Sequence, residues 1–163
     1  MTKAKILYID IETSPNIAMV WACGKQFVNH QQIIQDRRII CASYKWEGSS
    51  KVFNVDWGLG KQCDKNLCIH LSKVLASADL IIGQNHERFD IKWINTRVAY
   101  HGLDPINVKT LSMEDTLKLM RANFYLNSNS LAYAAKYFGV ELKKDGGGFS
   151  RVKRILFDKD KAS

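Results

Sequence analysis

The chain opens on an apolar run that changes character within a few residues. Residues 5–11 (KILYIDI) are continuous, β-branched and short, which predicts a buried strand. Residues 18–23 (AMVWAC) and 39–46 (IICASYKW) predict two more strands, and 51–57 (KVFNVDW), which alternates, predicts a fourth. Gly48, Ser49 and Ser50 supply a hairpin turn between the last two, so the first third reads as an antiparallel meander. The period then becomes helical. Leu67, Leu71, Val74, Leu75 and Ala78 share one face, with Asp64 as the expected N-cap. Residues 79–83 (DLIIG) predict a short buried strand. A second helix starts near Phe89, carries Ile91, Ile94 and Val98 on its inner side, and stops at Gly102. Two further helices are expected over 113–122 (MEDTLKLMRA) and from Ser130 to Phe138, the latter ended by Gly139. Strands first, then strand–helix alternation, predicts an α/β fold: a mixed sheet with antiparallel first strands and helices packed on it.

Composition narrows the class. The chain has 163 residues, 46% hydrophobic and 25% charged, which suits one globular domain across residues 1–163. The formal net charge of +8 favours a polyanionic partner, nucleic acid before an anionic membrane. Cys23, Cys41, Cys63 and Cys68 form no CxxC pair and have no histidine at zinc-finger spacing. The expectation is reduced thiols in a cytoplasmic compartment, with Cys41 in the core. No stretch approaches the ~20 apolar residues that span a bilayer. Trp21, Trp46, Trp57 and Trp93 read as core residues rather than stacking platforms.

The acids carry the chemistry. Side chains alternate along a strand, so Asp10 and Glu12 point the same way, and like charges that close repel. One reading is that the strand ends at Asp10 and ETSP is a solvated turn; the other is a site that holds both acids. Asp90 tilts the balance. It shares a helical face with Ile94 and Val98, the core-facing side. A carboxylate buried there is costly unless it is paired or binds metal. A helix-N-terminal role accounts for its place along the helix but not for its inward face. Three carboxylates on separate elements suit Mg²⁺ or Mn²⁺, hard cations that prefer oxygen. Two such ions roughly 4 Å apart activate water and stabilise the leaving oxygen in phosphodiester cleavage.

IDIETSP followed by IIGQNHERFD resembles the first two motifs of the DEDD superfamily of 3′-5′ exonucleases, which includes the proofreading domains of DNA polymerases. Asp10, Glu12 and Thr13 match the first motif; Asn85, Phe89 and Asp90 match the second. DTLKLMR (115–121) and SLAYAAKYFGV (130–140) resemble the helical region that comes next, so the resemblance covers about residues 5–140. It implies a ribonuclease-H-like fold, with Asp10, Glu12 and Asp90 as catalytic metal ligands for two Mg²⁺ or Mn²⁺ ions. It further implies that Thr13 contacts the 3′-terminal nucleotide and that Asn85 and Phe89 support or line the strand groove. The implied partner is nucleic acid, DNA ahead of RNA.

The third motif, a Tyr or His a few residues before a fourth acid on a final helix, has no match. The tail GGGFSRVKRILFDKDKAS resembles the connector that precedes this helix in phage-type members. Asp158 and Asp160 are the late acids, and Arg154 and Leu156 stand where a Tyr or His belongs. The expectation is a domain incomplete at its C-terminus, weak alone, and completed by a second chain or a polymerase. A non-catalytic nucleic-acid-binding module on the same fold is the alternative. A ribonuclease-H-like endonuclease or recombinase and an assembly protein also remain open.

Overall fold

The computed structural model describes residues 3–58 and 62–140. Its centre is β1 (Ile6–Thr13), whose burial alternates strictly. Leu7, Ile9 and Ile11 are buried, while Tyr8, Asp10 and Glu12 lie on the opposite, exposed face. Strand β4 (Ile39–Trp46) pairs antiparallel with β1 and continues through the Gly48 turn into β5 (Val52–Asp56). On its other side β1 pairs in parallel with β6 (Leu80–Gly83), which pairs in parallel with β7 (Met113–Asp115). The sheet order is β5-β4-β1-β6-β7, so β1 joins an antiparallel half to a parallel half.

Two helices cover the Leu7–Ile9–Ile11 face. Helix α1 (Lys65–Ala76) buries Leu67, Leu71 and Leu75, and α2 (Asp90–Tyr100) buries Ile91, Ile94 and Val98. All six belong to one core cluster with the β1 leucine and isoleucines. Each such side chain contributes about 1.5–3 kcal/mol by leaving water. Gly102 ends the α2 segment with φ +67°, a backbone that side chains resist. After β7 come α3 (Thr116–Asn123), capped by the Asp115 carboxylate, and α4 (Leu131–Tyr137), capped by Ser130.

Five sequence expectations need correction. Residues 18–23 are not a strand beyond Ala18. Strand β2 (Ile17–Ala18) pairs only with β3 (Ile33–Gln35), in a small ribbon separate from the main sheet. The apolar run then finds nothing to pack on, and Trp21 and Phe27 are fully exposed. Trp21 therefore leaves the core set; Trp57 is buried, and Trp46 and Trp93 pack against the cluster. Residues 113–122 are not one helix, because Met113–Asp115 joins the sheet edge and Asp115 then caps α3. Asp64 stands at the α1 N-cap position without a capping bond, its carboxylate being committed elsewhere. Cys41 is half-buried on the Glu12 face rather than in the core, since it pairs in register with Glu12 and Asp56.

Candidate active site

Three strands run the same way, β1, β6 and β7, and their C-terminal ends lie along one edge of the sheet. In open α/β sheets this edge is where ligands bind, because backbone ends there and side chains from the following loops converge. Asp10, Glu12 and Thr13 close β1; Gly83 closes β6; Asp115 closes β7. Strand β1 runs on through Glu12 and Thr13, so ETSP is not a turn from Asp10. The register with β4 slips between Glu12 and Thr13, a local bulge of the kind that re-aims side chains beside sites. The chain is pinned just beyond. Ser14 donates its amide to the Arg38 carbonyl (2.9 Å), and the Arg38 amide donates to the Ser14 hydroxyl (3.0 Å).

Asp90 enters this edge from the helical layer. Pairing of β1 with β6 ends at Tyr8–Ile82, so the Ile11 amide has no strand partner on that side. The Asp90 carboxylate accepts it instead, at 2.8 Å, across 79 residues of chain. Asp90 is 3% exposed, and burial pushes its carboxyl up to about 6. The Ile11 amide works against that shift, whereas the charges of Asp10 and Asp115 add to it. Asp10 stands on the exposed face, yet partial desolvation of its carboxyl also raises its pKa. The charge of Asp10 is thus felt at Asp90.

The loop between β6 and α2 is held by backbone geometry. A Cβ on Gly83 would meet His86 Cβ at 2.8 Å and the Ile9 carbonyl at 3.0 Å, so only glycine lets β1 and His86 close on this turn. Asn85 takes φ +59°, a left-handed conformation that Asn tolerates better than most residues. Its amide donates to Asp115 Oδ1 (2.8 Å), and its carbonyl accepts the Phe89 amide (3.0 Å). Phe89 packs against the core at the start of α2, and Thr13 is half-buried at the end of β1.

Two features of this region escaped sequence reasoning. His86 is fully buried under Gly83, with Nδ1 3.2 Å from the Gly83 carbonyl and 4.0 Å from Asp115. Burial holds its imidazole below the ordinary value in spite of Asp115. No sequence signal separates such a histidine from a surface one. Asp115 is buried, joins Asn85 to α3 through one carboxylate oxygen, and was hidden inside an expected helix. The Asp-Thr pair before an amphipathic run is an N-cap signature that marks it.

Among the described residues, Asp64, Cys68 and His101 place one ligand atom each within 4.8 Å of one another. The surroundings argue against a cation there. Both Asp64 oxygens are taken by Arg97, through Nε at 2.7 Å and Nη2 at 2.9 Å, with His101 Nε2 at 2.7 Å and the Ile39 amide at 2.9 Å. Burial favours the neutral acid, but these hydrogen bonds hold Asp64 below the usual carboxylate range. Burial also pushes the Cys68 thiol up to about 12, so it stays protonated. A metal would meet a thiol and a guanidinium; the cluster is a buried ion pair that ties α1, α2 and β4 together.

The oxygens of Asp10, Glu12 and Asp90 do not draw within that 4.8 Å limit. Their all-carboxylate chemistry fits hard divalent cations, and ligands of a two-ion centre spread wider than one coordination shell. The late acids Asp158 and Asp160 lie outside the described residues.

No family model and no curated protein matches the chain. Solved structures do. The family B DNA polymerase from the hyperthermophilic archaeon Pyrobaculum calidifontis aligns with a TM-score of 0.67 and 13% identity, over 99% of this chain and 24% of that one. A chain of the ExoI/SSB-Ct complex aligns with a TM-score of 0.58 and 16% identity, over 93% of this chain and 39% of that one. This chain thus spans well under half of either. What it shares with them is the fold, a ribonuclease-H-like mixed sheet flanked by helices.

Proposed function

We propose that this chain is a metal-dependent 3′-5′ exonuclease-type domain of the DEDD class, acting on nucleic acid, DNA before RNA. One observation carries the reading: a buried carboxyl, Asp90, sits beside Asp10 at the C-terminal edge of the parallel strands with its pKa pushed up to about 6. Repelling acids in a low-dielectric position are costly, and a divalent cation relieves that cost. Perturbed carboxyls at such an edge mark functional sites. The nuclease-like fold of both neighbours and the +8 charge support the same reading.

Asp10, Glu12 and Asp90 would hold Mg²⁺ or Mn²⁺. When bound, such ions lower the pKa of a water nucleophile and stabilise charge on the leaving oxygen. The chain's own residues do the positioning. The Ile11 amide fixes one Asp90 oxygen and so sets the direction of the other. The bulge at Glu12–Thr13 sets the direction of Glu12, and the Ser14–Arg38 pair anchors the segment by which Thr13 meets the 3′-terminal nucleotide. Asn85 carries the loop that presents Asp90, and Phe89 seats the start of α2 in the core. The third-motif pattern, a Tyr or His a few residues before a fourth acid on a final helix, has no match among the described residues; in this reading a second chain, such as a polymerase, or the tail supplies it.

The test is degradation of 5′-labelled single-stranded DNA with Mn²⁺, wild type against Asp10→Ala. Shortening from the 3′ end by the wild type alone is the expected result. Equal, negligible cleavage by both ends the reading of this chain as an enzyme on its own; if salt-dependent DNA binding persists, a non-catalytic binding module on this fold replaces it.

A further inference from the structure

A cleft of about 350 Å³ opens between the β6–α2 loop and α3, lined by Asn85, Arg88, Asp115, Lys118 and Arg121 among others. It lies at the C-terminal ends of β6 and β7, on the same sheet edge as Asp10, Glu12 and Asp90. Asp115 links the two places, since its charge is felt at Asp90 while its carboxylate holds the Asn85 amide at the cleft wall.

The charges of the cleft divide unequally. Asp115 is buried and accepts the amides of Asn85 and Leu117, so its charge is met internally. Lys118 pairs with Glu87. Arg88 and Arg121 are exposed, and neither guanidinium meets a carboxylate among the described residues. Lys118 and Arg121 stand three apart on α3, on one helical face. Arg88 reaches the cleft from a loop that Gly83 and the left-handed Asn85 hold in place. Two uncommitted guanidiniums on separate elements suit a phosphate, which they bind through paired hydrogen bonds. The volume lies within the range of small-ligand pockets, enough for one nucleotide unit.

We propose that this cleft is a phosphodiester subsite that grips single-stranded nucleic acid beside the carboxylates, Arg88 and Arg121 being its anion-binding residues. The proposal rests on the nuclease reading for the identity of its strand. Its test does not require cleavage. Binding of a 5′-fluorescein oligothymidylate is followed by anisotropy in EDTA over a KCl series, for wild type, Arg88→Ala/Arg121→Ala and Lys65→Ala/Lys73→Ala. The lysine pair is exposed on α1, does not line the cleft and removes the same charge.

When neither arginine neutralises a phosphate, the slope of log K against log salt falls by about 1.4, and affinity at low salt drops about tenfold. The lysine double variant moves both by less than half as much. Arg88→Lys/Arg121→Lys, which keeps the charge but not the fork, recovers most of the slope. Equal losses in the arginine and lysine variants overturn the proposal, as does wild-type binding by the arginine variant. Loss of poly-glutamate binding with oligonucleotide binding intact assigns the cleft to an acidic protein and overturns it too. If Asp10→Ala and wild type are both inert towards DNA while the arginine slope changes as expected, the subsite stands and the exonuclease reading falls.

Discussion

Replacing Asp90 with Asn separates charge from shape at the candidate site. The amide oxygen still accepts the Ile11 N–H, while the ionisable group is gone. The carboxyl titrates near 6 in the folded chain against an ordinary value of 3.8. Between those two pH values the native state holds a proton that the unfolded chain has released. Wild-type stability therefore falls as pH rises through that window. The full shift corresponds to about 3 kcal/mol, at 1.36 kcal/mol per pKa unit. Without metal at pH 8, Asp90→Asn is thus expected to be more stable than wild type by up to about 3 kcal/mol. At pH 4 the two are expected to be nearly equal. Urea unfolding followed by circular dichroism, in EDTA at a series of pH values, measures the difference between the two curves. Millimolar Mn²⁺ reverses the order at pH 8, since it binds the ionised acid of the wild type. Asp90→Ala orphans the Ile11 amide and falls about 1–3 kcal/mol below Asn. A stability difference between wild type and Asn that stays flat from pH 4 to 8 refutes the reasoning.

Three further outcomes follow from the same contacts. Asp64→Ala leaves the buried Arg97 without its partner and costs about 3–5 kcal/mol by chemical denaturation. Because Asp64 is held below 3.8, its contribution is complete above that pH and is lost as pH falls through the lower folded value, which an acid titration of the wild type shows. Gly83→Ala forces a methyl group against His86 and the Ile9 carbonyl and costs about 1–3 kcal/mol in urea unfolding. At Asn85, with φ +59°, Gly is expected within about 1 kcal/mol of wild type in thermal unfolding, while Val costs more than Gly by about 1–2 kcal/mol.

Local periodicity made much of the fold legible. The runs that became β1, β4, β5 and β6 and the two core helices are short-range patterns, and each found the neighbour its pattern needs. Residues 18–23 carry the same β-branched and aromatic signal without a neighbour, and pattern alone does not reveal whether a sheet edge is available. Residues 113–115 gave the opposite error, because three residues are too few to show a period of two before the helical period takes over. The shared exposed face of Asp10 and Glu12 and the inward face of Asp90 were legible through side-chain direction on a strand and a helix. Asn85 was legible only as part of a motif; its left-handed backbone supplies the physical reason. Arg97 was hidden because it shares a helix with apolar positions and is buried through a partner on another element, Asp64. The distant contacts of Asp115 with Asn85 and His86 were hidden as well, because local spacing shows its capping of α3 but not what it meets from the β6–α2 loop.

The bond between Asp90 and Ile11 also says something about time. It spans 79 residues, whereas the β4–β5 hairpin closes through one short turn. Loop-closure entropy delays distant pairings, so the hairpin is expected to form early and the carboxylate edge to assemble after β6 docks against β1. Contacts made after the folding barrier leave the folding rate alone and govern how fast the native state opens. Substitutions at Asp90 are expected to change the unfolding limb of a chevron plot and to spare the refolding limb. The sheet edge proposed to hold the metal would then also set the lifetime of the folded state.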